Sequence, residues 1–102
     1  MSDTILVVDD QANVRTLLTD YMKGQGYRVV SAGDGQTALF VARHEHPDVI
    51  LLDIMMPGMD GYEVCRRIKA AEKTREIPVL FISAMNETLD KVRAFEVGGI
   101  DY

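Results

Sequence analysis

Three short apolar runs, each followed by side chains that carry oxygen, limit the fold of this chain more than any other feature. They are Thr4–Val8 before Asp9 and Asp10, Val49–Leu52 before Asp53, and Val79–Ile82 before Ser83. Continuous runs rich in β-branched residues are typical of strands buried on both faces of a parallel sheet. The carboxyl ends of parallel strands meet at one edge, where open α/β sheets bind ligands, so the pattern predicts a functional site there.

The segments between these runs have the spacing of amphipathic helices. In the first such segment the apolar residues recur at helical intervals, and they are Val14, Leu17, Leu18, Tyr21 and Met22. Gly24 is predicted to end this helix. A more polar run at residues 27–32 predicts a second strand at a sheet edge. Asp60 or Gly61 is predicted to start a later helix, and Asn86 to cap another.

Strict alternation of strands and helices predicts an α/β fold with a doubly wound parallel sheet. The spacing alone does not determine the order of the strands. No linker, internal repeat or low-complexity segment divides the chain, so residues 1–102 are predicted to form a single domain.

Charge and composition exclude several classes of function. The net charge of −5 disfavours binding to nucleic acid, and we expect no direct nucleic-acid partner. No apolar stretch is long enough to span a bilayer and the amino terminus lacks a basic signal region, so we expect no membrane association. A single cysteine excludes an internal disulfide, which favours a cytoplasmic location.

The carboxylates at the predicted edge suit a divalent cation. Adjacent carboxylates repel one another unless a cation or a shared proton offsets their charge. An oxygen-only set favours Mg²⁺, and Mn²⁺ also fits. Because Mg²⁺ takes phosphoryl oxygens as further ligands, the predicted chemistry is phosphoryl transfer. Asp53 is the predicted nucleophile since it stands alone after a strand, whereas Asp9 and Asp10 form the pair better placed to hold a metal.

Three segments together closely resemble the receiver domains of bacterial response regulators in two-component signalling. They read VVDD at 7–10, LLDIMMPGMDG at 51–61 and ISA at 82–84. The resemblance covers essentially the whole chain and implies a flavodoxin-like sheet with the strand order 2-1-3-4-5. It further implies a sensor histidine kinase or a phosphotransfer protein as the phosphoryl donor, and an unknown downstream effector.

The resemblance also implies the roles of individual residues. Asp53 would be the phosphoacceptor of a 4-aspartylphosphate. Asp10 and Asp53 would bind Mg²⁺ through their carboxylates, the backbone carbonyl of Met55 would be a third protein ligand, and Asp9 would assist.

The last part of the chain holds two further residues to which the resemblance gives a role, and it then departs from the family pattern. Ser83 would contact the phosphoryl group, and Tyr102 would be the aromatic whose rotamer follows that contact. Family members carry a lysine beyond the aromatic, for which this chain has no residue. The fifth strand of the family is barely begun in this chain, and the fifth helix is missing. We therefore expect a truncated receiver domain that phosphorylates poorly and either self-associates or is marginally stable.

Three functions stay open from the sequence. The favoured one is a phosphoacceptor switch, which is not an enzyme beyond assisting its own phosphorylation and dephosphorylation. The second is a pseudo-receiver that binds a partner without phosphorylation. The third is a Mg²⁺-dependent phosphatase that forms an aspartyl phosphate on an external substrate. Such phosphatases place Asp-x-Asp after their first strand, whereas Asp9 and Asp10 are adjacent.

Overall fold

The structure of the protein is a computed structural model, and it describes residues 3–82. Within these residues the strands are β1 (Thr4–Val8), β2 (Arg28–Ala32), β3 (Val49–Leu52) and β4 (Val79–Phe81). The helices are α1 (Ala12–Gly24), α2 (Gly35–Glu45) and α3 (Gly61–Ala70). The predictions for Ser83, Asn86 and Tyr102 lie outside the described residues.

The strands form one parallel sheet in the order β2-β1-β3-β4. This confirms the predicted α/β fold and the first four positions of the strand order that the resemblance implies. At its carboxyl end, β1 pairs Val8 with Ala32 on one side and with Leu52 on the other. Leu52 in turn pairs with Phe81 of β4. The strands therefore end side by side, and the residues that follow them share one edge.

The sheet buries apolar side chains on both faces, as the continuous apolar runs predict. Successive residues of β1 alternate between the faces, so Leu6 and Val8 join the larger core cluster with residues of α2 and α3. Ile5 and Val7 join a smaller cluster, against which Leu18 of α1 packs. Helices on both faces confirm the doubly wound arrangement.

The apolar stripe of α1 is narrower in the structure than the sequence pattern predicts. Leu18 and Met22 pack against the smaller core cluster. Leu17 and Tyr21, which the pattern assigns to the same stripe, are 70% and 62% exposed. Leu18 and Met22 are four residues apart and therefore lie on the same side of the helix. The residue before each of them is rotated by about 100° around the helix axis, so its side chain does not reach the sheet.

Two helices begin with a side-chain cap, and the sequence predicted only the start of α3. The side chain of Asp34 accepts a hydrogen bond from the Thr37 amide at 2.8 Å at the start of α2. Asp60 accepts from the Glu63 amide at 2.9 Å, so Asp60 is the cap and Gly61 the first residue of α3. α1 ends at Gly24 as predicted. None of the helices within residues 3–82 is long and apolar enough to cross a membrane.

The carboxyl end of α2 has an unfavourable backbone conformation at His46. This residue follows the helix with φ of 48°, in the left-handed region. A side chain there costs about 1 kcal/mol, and glycine is the usual residue at this position. We expect His46→Gly to raise the free energy of unfolding by about 0.5 kcal/mol, because the lost strain exceeds the added backbone entropy of the unfolded chain.

Urea denaturation of both histidine variants tests this expectation. His44 lies inside α2, so His44→Gly is the matched control and is expected to lower the stability by about 1 kcal/mol. Equal destabilisation by both substitutions would contradict the assignment of strain to His46.

Candidate metal centre

Three carboxylates converge at the carboxyl edge of the sheet. One oxygen from each of Asp9, Asp10 and Asp53 lies within 4.8 Å of the others. Asp9 and Asp10 directly follow β1, and Asp53 directly follows the adjacent strand β3. A hydrogen bond of 2.9 Å from the Asp53 amide to the Val8 carbonyl continues the ladder between these strands. The pairing of β1 with β3 thus joins residues that are distant in the sequence.

The three carboxylates differ in their access to solvent. Asp9 is buried, and its Oδ1 accepts a hydrogen bond from the Gln11 amide at 2.9 Å. Asp10 is exposed and Asp53 is half-buried. Asp10 and Asp53 are therefore the two carboxylates more accessible to an incoming ligand, and Asp9 lies on the buried side of the cluster.

Arg15 holds the loop that carries the acidic pair, a contact that the sequence analysis did not identify. Its Nη1 donates to the backbone carbonyl of Asp9 at 2.8 Å. The same nitrogen would lie 3.0 Å from a Cβ added at Gly33, so the guanidinium also fills the space beside the turn after β2. A basic residue one turn into α1 was the only signal in the sequence, and it does not reveal what the side chain contacts.

The pKa of Asp53 is raised from its ordinary value of 3.8 to about 6. Burial is the largest cause, followed by the negative charge of Asp9, with a smaller contribution from Asp10. The Met55 amide opposes the rise, because it donates to Asp53 Oδ1 at 3.2 Å and stabilises the ionised form. At neutral pH the cluster therefore carries repelling negative charges.

The donor set fits a hard divalent cation such as Mg²⁺. The cluster consists of carboxylates alone, and a cation would relieve the repulsion that raises the pKa of Asp53. Asp9, Asp10 and Asp53 are the side chains that would hold it. When bound, such an ion supplies positive charge for phosphoryl oxygens. The ligand role of the Met55 carbonyl stays a prediction.

Gly61 allows α3 to begin directly against the end of β3. Its amide donates to the Ile54 carbonyl at 3.0 Å. A Cβ at this position would overlap the backbone oxygen of Asp53 and lie 2.8 Å from the Ile54 Cα. The sequence predicted Asp60 or Gly61 as the helix start. The close approach, which supports the backbone of Asp53, appears only in the structure.

Comparison with known proteins shows the family of this chain. The model of the response regulator receiver domain family matches residues 5–102. The response regulator PleD of Caulobacter vibrioides is 50% identical over 103 residues, which cover all of this chain and 22% of PleD. The chain thus spans about a fifth of the length of this relative.

Solved structures of the same fold include two informative neighbours. The chemotaxis protein CheY4 of Vibrio cholerae superposes with a TM-score of 0.94 at 28% identity, over 99% of this chain and 84% of that one. The receiver domain of sensor histidine kinase PA1611 from Pseudomonas aeruginosa gives a TM-score of 0.89 at 31% identity, over 100% of this chain and 84% of that one. That domain has a magnesium ion coordinated in its active site cleft. The chain therefore belongs to the response regulator receiver domain family, the phosphoacceptor signalling domains of two-component systems.

Proposed function

We propose that Asp53 accepts a phosphoryl group from a phosphohistidine of a sensor histidine kinase or a phosphotransfer protein. The observation that carries this proposal is the convergence of Asp9, Asp10 and Asp53 at one edge of the sheet. Of the three, Asp53 combines partial exposure with a position alone at the end of its strand. It is therefore the carboxylate best placed to meet a donor.

The transfer step balances with the groups named. A carboxylate oxygen of Asp53 forms a bond to phosphorus while the phosphorus–nitrogen bond of the donor breaks. The imidazole leaves with that electron pair and takes up a proton from solvent. With a pKa of about 6, Asp53 is mostly ionised at neutral pH and able to act as the nucleophile. The Met55 amide holds Oδ1 and so fixes the orientation of the carboxylate.

The remaining site residues keep the roles that the family pattern implies for them. We propose Asp10, Asp53 and the Met55 carbonyl as ligands of Mg²⁺, with Mn²⁺ as a substitute and Asp9 assisting. Ser83 would contact the phosphoryl group and Tyr102 would be the aromatic of the switch. In this proposal the domain is a switch and not an enzyme acting on an external substrate. It works in the cytoplasm, where it controls an effector of unknown identity.

Labelling with a small phosphodonor tests the role of Asp53. With acetyl phosphate and Mg²⁺ we expect intact mass spectrometry to show a slowly accumulating gain in mass that corresponds to a single phosphoryl group. Borohydride reduction should convert the labelled residue to homoserine at Asp53. Asp53→Asn and removal of Mg²⁺ with EDTA should each abolish the label. Asp20→Asn, the same change at an exposed position on α1, should retain it.

Each of the other outcomes points to a different function. Label that persists in Asp53→Asn would contradict the assignment of the acceptor. Turnover of phosphomonoesters would support the phosphatase. No label from acetyl phosphate or from a panel of phosphorylated sensor kinases would support the pseudo-receiver.

A further inference from the structure

A groove between α2 and α3 lies apart from the carboxylate cluster. We call it the α2–α3 groove, and it is defined by Leu39, Phe40, Arg43, Arg67 and Ala71. Its volume is about 370 Å³, within the range of sites that bind a ligand or a peptide side chain. Each helix starts near the carboxyl edge of the sheet and runs back from it, so the later residues of α2 and α3 lie away from that edge.

The apolar part of the groove is only partly used by the core. The Phe40 side chain is 61% exposed, and its ring stacks on His44 with the centroids 4.1 Å apart. Leu39 beside it is half-buried and packs against the larger core cluster. Exposed aromatic surface next to a concave site is typical of positions that anchor a partner side chain. Phe40 and Leu39 therefore offer a surface on which one apolar side chain can pack.

The polar part of the groove is positively charged in a chain whose net charge is −5. Within residues 3–82, Arg43 has no ion pair. Arg67 donates through Nε to Glu63 at 2.9 Å, and this hydrogen bond does not use its two terminal nitrogens. An adjoining open space shares Arg43 with the groove and is lined further by Glu72 and Lys73. Cations therefore outnumber the single carboxylate along this lining.

We propose that the α2–α3 groove binds an acidic segment of a partner protein. An apolar side chain of that segment packs against Leu39 and Phe40, and its carboxylates pair with Arg43 and Arg67. Charge complementarity favours this occupant, since an acidic segment is attracted to a lining where two exposed arginines lie beside an exposed aromatic ring. A free small anion would leave Phe40 unused. The proposal goes beyond the phosphoacceptor function and does not depend on it.

Titration with a synthetic peptide tests the proposal. The probe is a short peptide with one central phenylalanine flanked by glutamates, added to the ¹⁵N-labelled chain and followed by amide chemical shifts. We expect saturable shifts at residues 39–43 and 67–71, and none at Asp9, Asp10 or Asp53. The affinity should fall with added salt, because exposed ion pairs are screened. A peptide with lysines in place of the glutamates should not bind.

Matched variants separate the groove from the rest of the surface. Arg43→Glu and Phe40→Ala should each weaken binding by about tenfold or more, since both are exposed and contribute little to folding. Lys23→Glu on α1 makes the same charge change elsewhere and should leave the affinity unchanged. Leu17→Ala, at a comparably exposed apolar residue of α1, is the control for Phe40→Ala.

Shifts confined to the groove, and lost in the two groove variants only, would support the proposal. It would be overturned by three results: no saturable shift, equal binding of the lysine peptide, or shifts centred on α1 or the carboxylate cluster. Inorganic phosphate that reproduces the same shifts with the same affinity would also overturn it, because that result identifies a small-anion site.

Discussion

Replacing Gly61 with alanine is expected to lower the free energy of unfolding by about 3 kcal/mol or more. The added Cβ would overlap the Asp53 carbonyl oxygen and lie 2.8 Å from the Ile54 Cα. Both neighbours are backbone atoms, so no side-chain rotation can relieve the contact, and α3 must move away from the end of β3. Urea denaturation measures the loss.

Gly24→Ala is the matched control for this substitution. A Cβ at Gly24 meets no atom within 4 Å, and this residue lies at the end of α1. We expect a stability within about 0.5 kcal/mol of the original chain, or a small gain from helix propensity. If Gly61→Ala is as stable as Gly24→Ala, α3 does not approach the backbone of Asp53 as closely as described. A movement of α3 should also reduce labelling of Asp53 in the folded variant, which gives a second readout.

Magnesium is expected to reverse a loss of stability that appears as the pH rises. The pKa of Asp53 is about 6 in the folded chain against 3.8 ordinarily, so between these values the folded state binds more protons than the unfolded state. Its contribution is complete below 3.8 and is lost as the pH rises through about 6. Because this carboxylate is only half-buried, solvent screening limits the loss to about 1 kcal/mol. Saturation with Mg²⁺ at a hundred times its dissociation constant should add about 2.7 kcal/mol.

Denaturation at several pH values, with Mg²⁺ or with EDTA, measures both effects. Asp53→Asn should be more stable than the original chain at neutral pH in EDTA, and should respond little to Mg²⁺. Asp20→Asn should behave as the original chain does. Asp34 and Glu63 have lowered pKa values, so their contributions make the free energy of unfolding rise with pH at lower pH. Subtracting the curve of one variant from that of another removes these contributions, because the variants share both residues. Parallel curves for the original chain and Asp53→Asn would contradict this account.

The sequence predicts the strands and the capped helix starts because these depend on local patterns. An apolar run such as Val49–Leu52 is recognisable without its neighbours, and so is a helix start such as Asp60 or Gly61. The grouping of Asp53 with the acidic pair also follows, since parallel strands must end at a common edge.

Features that depend on contacts between distant segments were not predictable. The contact of Arg15 with Asp9 and Gly33 joins α1 to the loops after β1 and β2, and no periodicity marks it. The exposure of Leu17 and Tyr21 depends on how α1 lies across the sheet. The strand order came from the family resemblance and not from the spacing, because crossover connections of similar length are compatible with several orders.

The ladder between β1 and β3 has a consequence for how this domain tolerates change. The pairs Val7 with Leu51 and Val8 with Leu52 set the distance from the acidic pair to Asp53. A slip of one residue would turn every side chain of a strand to the opposite face of the sheet. Because a separate core cluster packs on each face, such a slip would disrupt both clusters and is therefore disfavoured. We therefore expect insertions in the turns at the opposite edge of the sheet to leave this ladder intact, and with it the spacing of the acidic side chains.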